Sequence, residues 1–106
     1  MTTPYTLFAD LATEAPIPAR GILSQTLSNE KDVEFLLFAF AAGEQLSEHT
    51  SARPAIIHIL AGEGELTVGG DPSPARPGTW LRMASEVKHS LTARTPMRMA
   101  LYLLPR

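Results

Sequence analysis

The sequence contains no cysteine, and this absence excludes several kinds of chemistry. A chain without thiols forms no disulfide framework, has no thiolate nucleophile and offers no cysteine ligand to zinc. An excess of one charge is also missing, because nine basic residues stand against eleven acidic ones, without blocks of either sign. This balance predicts neither nucleic acid nor an anionic membrane surface as a partner.

Long apolar runs are missing as well. The longest, FLLFAFAA at residues 35–42, is far shorter than the roughly 20 residues that span a bilayer. Residues 1–16 show neither the cationic start nor the apolar segment of a signal peptide. We therefore expect a soluble cytoplasmic protein. Its length of 106 residues predicts a single domain with one core.

Patterns typical of long helices are absent, whereas strand patterns recur at intervals of about ten residues. Residues 71–78 contain three prolines and are expected to form a connector rather than a strand. About eight strands predict an all-β barrel or sandwich over residues 21–106. The expected strands are 22–27, 33–41, a short strand carrying His49, 55–61, 62–68, 79–83, 89–93 and 97–104, with a polar turn at 28–32.

The first twenty residues are expected to form an N-terminal arm. An irregular arm would lay its apolar side chains over the barrel; the alternative is one helical turn capped by Asp10 and ended by Pro16. The strand at 33–41 is apolar on both faces, and only one face can look into the barrel, so the other face must be covered, for example by this arm or by a second sheet. A partner subunit is another possible cover, so we expect a homodimer. The covering side chains of the arm would be Tyr5, Leu7, Phe8 and Leu11.

Two histidines stand at comparable places among these strands. Gly43 is followed six residues later by His49 and then by a strand that closes on Gly62, and Gly78 is followed eleven residues later by His89. With this spacing, residues 33–104 resemble the two conserved motifs of the cupin superfamily. The resemblance implies a single-domain β-barrel, or jelly roll, in which the two histidines face each other.

The resemblance also implies a metal site, and this sequence keeps two of its four ligands. A cupin barrel typically holds its metal with three histidines and one glutamate. His49 and His89 fall on the first and last of these positions, whereas Ser51 and Ala55 occupy the other two. Glu86 stands where a glycine is usual, so its loop is expected to differ in conformation, and it is the carboxylate most able to reach the site. Two imidazoles alone would hold iron, zinc or nickel only weakly.

Strand alternation predicts which neighbours join the two histidines. If His49 points inward, Ser51 two residues later does so too, and an inward Ala55 carries Ile57 inward with it. His58 then faces away from the site, toward a second layer or a partner subunit. We expect a structural histidine at this position rather than a ligand.

Two functional hypotheses follow. The first is a small cupin-fold protein that binds a small molecule in a partly apolar barrel, without strong catalytic activity. The alternative is a metal-dependent oxygenase or isomerase that acts on a small oxygenated substrate, with the metal as Lewis acid or activator of water. Because a fold does not determine a function, the sequence is compatible with an enzyme and with a binding protein. The expected ligand-binding residues are His49, Ser51, Ala55, Ile57 and His89, of which the two histidines are the candidate metal ligands.

Overall fold

The computed structural model describes residues 4–106, which form two antiparallel sheets around one core. The strand order is β1-β2-β9-β4-β7 in the first sheet and β3-β8-β5-β6 in the second. The all-β jelly-roll fold predicted above is confirmed. Within residues 4–106, no helix has the length and apolar character needed to cross a membrane. The elements are α1 (Leu11–Glu14), β1 (Ile22–Glu30), β2 (Val33–Phe40), β3 (Gln45–His49), β4 (Ala55–Ala61), β5 (Gly64–Val68), β6 (Asp71–Ala75), β7 (Trp80–Met83), β8 (His89–Ala93) and β9 (Met97–Leu103).

The space between the sheets is filled by alternating apolar side chains. On β4, Ile57 and Ile59 are buried and pack in one cluster with Leu66 and Leu91 of the opposite sheet. Burying a side chain of this size contributes about 1.5–3 kcal/mol. The space between the two sheets is therefore a packed core.

A second apolar cluster covers the outer face of β2. Leu37 and Ala39 are fully buried there against Ala15, which follows α1. The arm is fastened by Arg98, whose Nε donates a hydrogen bond to the carbonyl of Ala15 at 3.0 Å. The Phe8 ring also lies edge-on to Phe35, with ring centroids 6.2 Å apart. The outer face of β2 is therefore covered by the N-terminal arm of the same chain, which is one of the covers expected above.

The arm differs in part from the prediction. One helical turn forms after Asp10, whose side chain accepts a hydrogen bond from the backbone nitrogen of Ala12 at 3.0 Å. This was the alternative to an irregular arm. Tyr5 and Leu7 are 74% and 75% exposed, so the prediction that they cover the barrel is wrong. Leu11 packs against the outer cluster as expected.

Two stretches predicted as loops are strands. Residues 71–75 pair with β5 and form β6, although they contain Pro72 and Pro74. Proline is tolerated there because β6 lies at the edge of its sheet and needs only one set of ladder hydrogen bonds. The predicted turn at 28–32 is also shorter, since β1 continues to Glu30 through an irregularity between Thr26 and Ser28.

Candidate functional site

Four strand ends meet at one end of the barrel. β3 ends at His49, β4 begins at Ala55, β7 ends at Met83 and β8 begins at His89. In the antiparallel pairing, His49 is the register partner of His89, and Ala55 is the partner of Met83. These four residues define what we call the barrel mouth. The structure thus brings the two predicted histidines together on neighbouring strands.

A β-bulge in β3 allows this pairing. Leu46 is the register partner of Leu91, yet the next pair is His49 with His89, so three steps along β3 match two steps along β8. In a regular strand, residues three apart point to opposite faces. The extra residue resets the alternation, so that Leu46 packs on the core and His49 still meets His89. Sequence alternation alone gave no signal for this bulge.

The two imidazole rings lie close together and are held in the same way. Their centroids are 4.1 Å apart, with the ring planes tilted by 57°. The Nδ1 atom of His49 lies 2.7 Å from the carbonyl oxygen of Ser47, and the Nδ1 atom of His89 lies 2.9 Å from that of Val87. A carbonyl only accepts hydrogen bonds, so each Nδ1 carries the proton and donates it. In the neutral rings both Nε2 atoms are then unprotonated.

The two histidines differ in their exposure to solvent. His49 is exposed, whereas His89 is only 6% exposed. Burial lowers the pKa of His89 below its ordinary value of 6.5; the hydrogen bond to the Val87 carbonyl opposes this shift, and the nearby His49 adds to it. His89 is therefore neutral at pH 7. Within residues 4–106 no buried side-chain nitrogen or oxygen lacks a hydrogen-bond partner.

The remaining predicted site residues lie in different surroundings from one another. Ser51 lies beyond the end of β3, where its hydroxyl donates to the carbonyl of Arg53 at 3.0 Å and accepts from the Arg53 backbone nitrogen at 3.2 Å. Strand alternation therefore does not apply to it. Ala55 and Ile57 are 2% and 3% exposed and belong to the inner cluster. His58 alternates with them on β4 and so lies on the outer face.

Glu86 occupies a backbone conformation that normally favours glycine. Its φ is +67°, and its backbone nitrogen donates a hydrogen bond to the carbonyl of Ser51 at 2.7 Å. The loop thus takes a glycine-type conformation without a glycine, contrary to the expectation of a changed loop. The left-handed conformation costs a residue with a Cβ about 1–2 kcal/mol. The hydrogen bond ties this loop to the turn that follows His49.

Arg53 has a role that the sequence did not indicate. Its Nε donates to the carbonyl of Leu104 at 3.0 Å, and its Nη2 donates to the carbonyls of Leu103 at 3.1 Å and of Asp32. Its Nη1 also lies 3.6 Å from a carboxylate oxygen of Glu34. The guanidinium therefore fastens the turn between β3 and β4 to the end of β9 and to the β1–β2 turn. These partners are far away in sequence, so no local pattern could reveal them.

The donor set at the mouth does not fit a resident catalytic metal. Catalytic zinc and non-haem iron sites ordinarily use three protein ligands. His49 and His89 offer two Nε2 atoms, Ala55 has no donor atom, and the Ser51 hydroxyl is engaged in its own turn. Across the described part of the chain, no three histidine, aspartate or glutamate side chains come together as a metal-binding group. What the pair can do without a metal is accept hydrogen bonds from a bound molecule.

Comparison with solved structures finds many relatives of the same fold. A conserved protein of unknown function from Streptococcus pyogenes is 26% identical, with a TM-score of 0.82 and coverage of 100% of this chain and 92% of that one. A cupin superfamily protein from Desulfitobacterium hafniense is 24% identical, with a TM-score of 0.85 and coverage of 97% and 94%. These matches extend over both sheets and the barrel mouth.

An enzyme is also among the similar structures. The salicylate 1,2-dioxygenase of Pseudoaminobacter salicylatoxidans is 16% identical, with a TM-score of 0.72 over 88% of this chain but only 28% of that enzyme. At this identity the likeness shows the fold alone. The search of curated protein sequences found no match. The sequence profile of the cupin domain matches residues 36–104, which is more than half of the chain. The chain therefore belongs to the cupin superfamily.

Proposed function

We propose that this cupin binds a small molecule at the barrel mouth, with His49 and His89 as its polar anchors. The observation that carries the proposal is the imidazole pair itself: two rings 4.1 Å apart, each oriented by a backbone carbonyl through Nδ1. A histidine that only filled space would not need its ring to be oriented by a backbone carbonyl, and here both rings are oriented in this way. Rings held in this way are prepared to receive a ligand without reordering, which reduces the entropy cost of binding.

The packing of the barrel supports a ligand at the mouth rather than in the centre. Beneath the histidines, Ile57, Leu66 and Leu91 are each no more than 3% exposed and fill the interior. The mouth itself combines the two imidazoles with the apolar Ala55 and Met83, which begin and end their strands there. A few oriented polar groups beside apolar side chains are typical of small-molecule sites.

The chemistry of the mouth favours binding over the metal-dependent alternative. An oxygenase or isomerase of that kind would need a third protein ligand, and the residues at the two corresponding positions are Ser51 and Ala55. The Ser51 hydroxyl is engaged by both polar atoms of the Arg53 backbone. It is also not oriented by a neighbouring acid and base in the manner of a catalytic nucleophile.

The test follows the ring resonances of the histidines by NMR. A panel of small hydroxylated, carboxylated and aromatic compounds is added to the metal-free protein at pH 8. We expect at least one compound to shift the His49 and His89 signals saturably, and the same compound to lose its affinity for His49→Ala and His89→Ala. His58→Ala is the matched control, because its ring lies on the outer face and its loss should leave binding unchanged.

Two outcomes would contradict the proposal. Compounds that shift only residues away from the mouth would show that the histidine pair is structural. Stoichiometric metal in the purified protein that is absent from both mouth variants would instead favour the metal-dependent enzyme.

A further inference from the structure

We infer that the ligand is a hydrogen-bond donor with two neighbouring donor groups, such as a small vicinal diol or amino alcohol, and not a carboxylate or phosphate. This inference rests on the proposed function and narrows it to a chemical class. Its basis is the protonation pattern of the two rings, which the backbone determines.

In each neutral ring, the one N–H group is already engaged in a hydrogen bond to a backbone carbonyl. The Nδ1 protons of His49 and His89 are donated to the carbonyls of Ser47 and Val87, which cannot donate in return. Both Nε2 atoms therefore present lone pairs to the ligand. A ligand oxygen that only accepts, such as a carboxylate or ether oxygen, would face these lone pairs without a proton between them. A hydroxyl or amine pairs with each of them.

The charges around the mouth support the same class. Arg53, the arginine in the turn that follows His49, has its guanidinium engaged by three carbonyls and by Glu34. Lys88, which precedes the first residue of β8, has its side chain exposed to solvent. The guanidinium of Arg53 is already occupied and does not offer its charge to an anion bound between the two rings.

The spacing of the rings indicates that the two donors of the ligand are adjacent. The ring centroids are 4.1 Å apart, which is close enough for one small molecule to meet both rings with adjacent donor groups. Leu46 and Val87, each within three residues of one of the histidines, pack against the apolar core. The apolar part of a diol or amino alcohol therefore has aliphatic surface close to the two rings.

The first test measures the protonation pattern directly. Long-range proton–nitrogen NMR spectra of the metal-free protein at pH 8 report which nitrogen of each ring carries the proton. We expect His49 and His89 both to be protonated at Nδ1. A ring protonated at Nε2 would present a donor to the ligand and would overturn the inference.

The second test compares three probes that share one ring. They are cis-cyclohexane-1,2-diol, its dimethyl ether and cis-cyclohexane-1,2-dicarboxylate, each titrated against wild type, His49→Ala and His89→Ala at pH 8. We expect the diol to bind through both histidines, and the ether to bind about tenfold more weakly or worse, because it cannot make the two hydrogen bonds. The dicarboxylate should also be weaker than the diol.

The outcomes separate the inference from the proposed function. Histidine-dependent binding of the ether or the dicarboxylate at least as tight as that of the diol would overturn the donor class and leave the proposed function standing. Diol binding that persists unchanged in both alanine variants would contradict both, because the site would then lie elsewhere.

Discussion

At the scale of single residues, the surroundings of His89 determine what the mouth can do. The ring is 6% exposed, is anchored at Nδ1 by the Val87 carbonyl and lies against the ring of His49. The contact between the two rings follows from one register position, the pairing of residue 49 with residue 89. The spacing of the two motifs predicted that these histidines would meet. The tautomers could not be predicted, because they depend on backbone carbonyls that only the bulged strand and the loop before β8 put in place.

The lowered pKa of His89 predicts a pH dependence of stability. In the unfolded chain this histidine titrates near 6.5, so below that pH the unfolded state binds more protons than the folded one. The free energy of unfolding should therefore fall as the pH drops through about 6.5, until the lower folded pKa is passed. Urea unfolding of wild type and His89→Gln between about pH 5 and pH 8 checks this. The variant should show the shallower decline.

His58→Gln is the control for that series, because its ring lies on the outer face and the substitution should leave the pH profile close to that of wild type. Identical profiles for wild type and His89→Gln would mean that the buried imidazole does not resist protonation.

The strained conformation of Glu86 predicts a substitution that increases stability. With a φ of +67°, the backbone of Glu86 is strained in the folded state by about 1–2 kcal/mol, a strain that glycine would not have. Glycine also has more conformational freedom in the unfolded chain, which lowers stability by about 0.5–1 kcal/mol and offsets part of this gain. Glu86→Gly should therefore raise the free energy of unfolding by roughly 0.5–1 kcal/mol. Glu65→Gly, an exposed position within β5, should lower it instead. If both variants lose stability alike in urea, the loop is not strained at Glu86.

At the scale of elements, the strands could be predicted where buried and more exposed residues alternate, and they could not be predicted where the backbone is irregular. β4 alternates buried isoleucines with half-buried residues, so its bounds and faces were predictable. β6 was missed because Pro72 and Pro74 argue against a strand, and only its place at the sheet edge makes them acceptable. The contacts of Arg53 with Leu103 and Leu104 span 50 and 51 residues, a distance that no local pattern covers.

The arm is an element whose attachment can be tested. Arg98 donates to the carbonyl of Ala15, and Ala15 is fully buried on the outer cluster. Removing this charged hydrogen bond in Arg98→Ala should cost about 1–2 kcal/mol and loosen the arm locally. Hydrogen exchange should accelerate at residues 11–17 and stay unchanged in β4. Arg94→Ala, at an exposed arginine, is the matched control. Acceleration throughout the barrel would mean that Arg98 supports the whole fold rather than the arm.

At the scale of the whole molecule, the arm changes the argument for a homodimer. The outer face of β2, which suggested a partner subunit, is already covered by the chain itself, with Leu37 and Ala39 fully buried. Among residues 4–106, three large apolar side chains stay exposed in the single chain: Tyr5 at 74%, Leu7 at 75% and Trp80 at 58%. The homodimer therefore stays a prediction, and it now rests on these residues. Trp80 is the strongest candidate contact, because it lies on the edge strand β7.

Light scattering at micromolar concentration tests the dimer. We expect a mass of twice 11.5 kDa for wild type and a shift toward 11.5 kDa for Trp80→Glu. Arg82→Glu, two residues along the same strand, alters the charge without removing apolar surface and should dissociate the dimer less. A mass of 11.5 kDa for wild type would contradict the prediction.

The central claim is that the barrel mouth is a two-histidine binding site without a resident metal. Elemental analysis of the purified protein, beside a His49→Ala, His89→Ala double variant, tests it most directly. The account predicts iron, zinc and nickel far below one ion per chain in wild type, with no difference from the variant. One ion per chain in wild type that is lost in the double variant would contradict it.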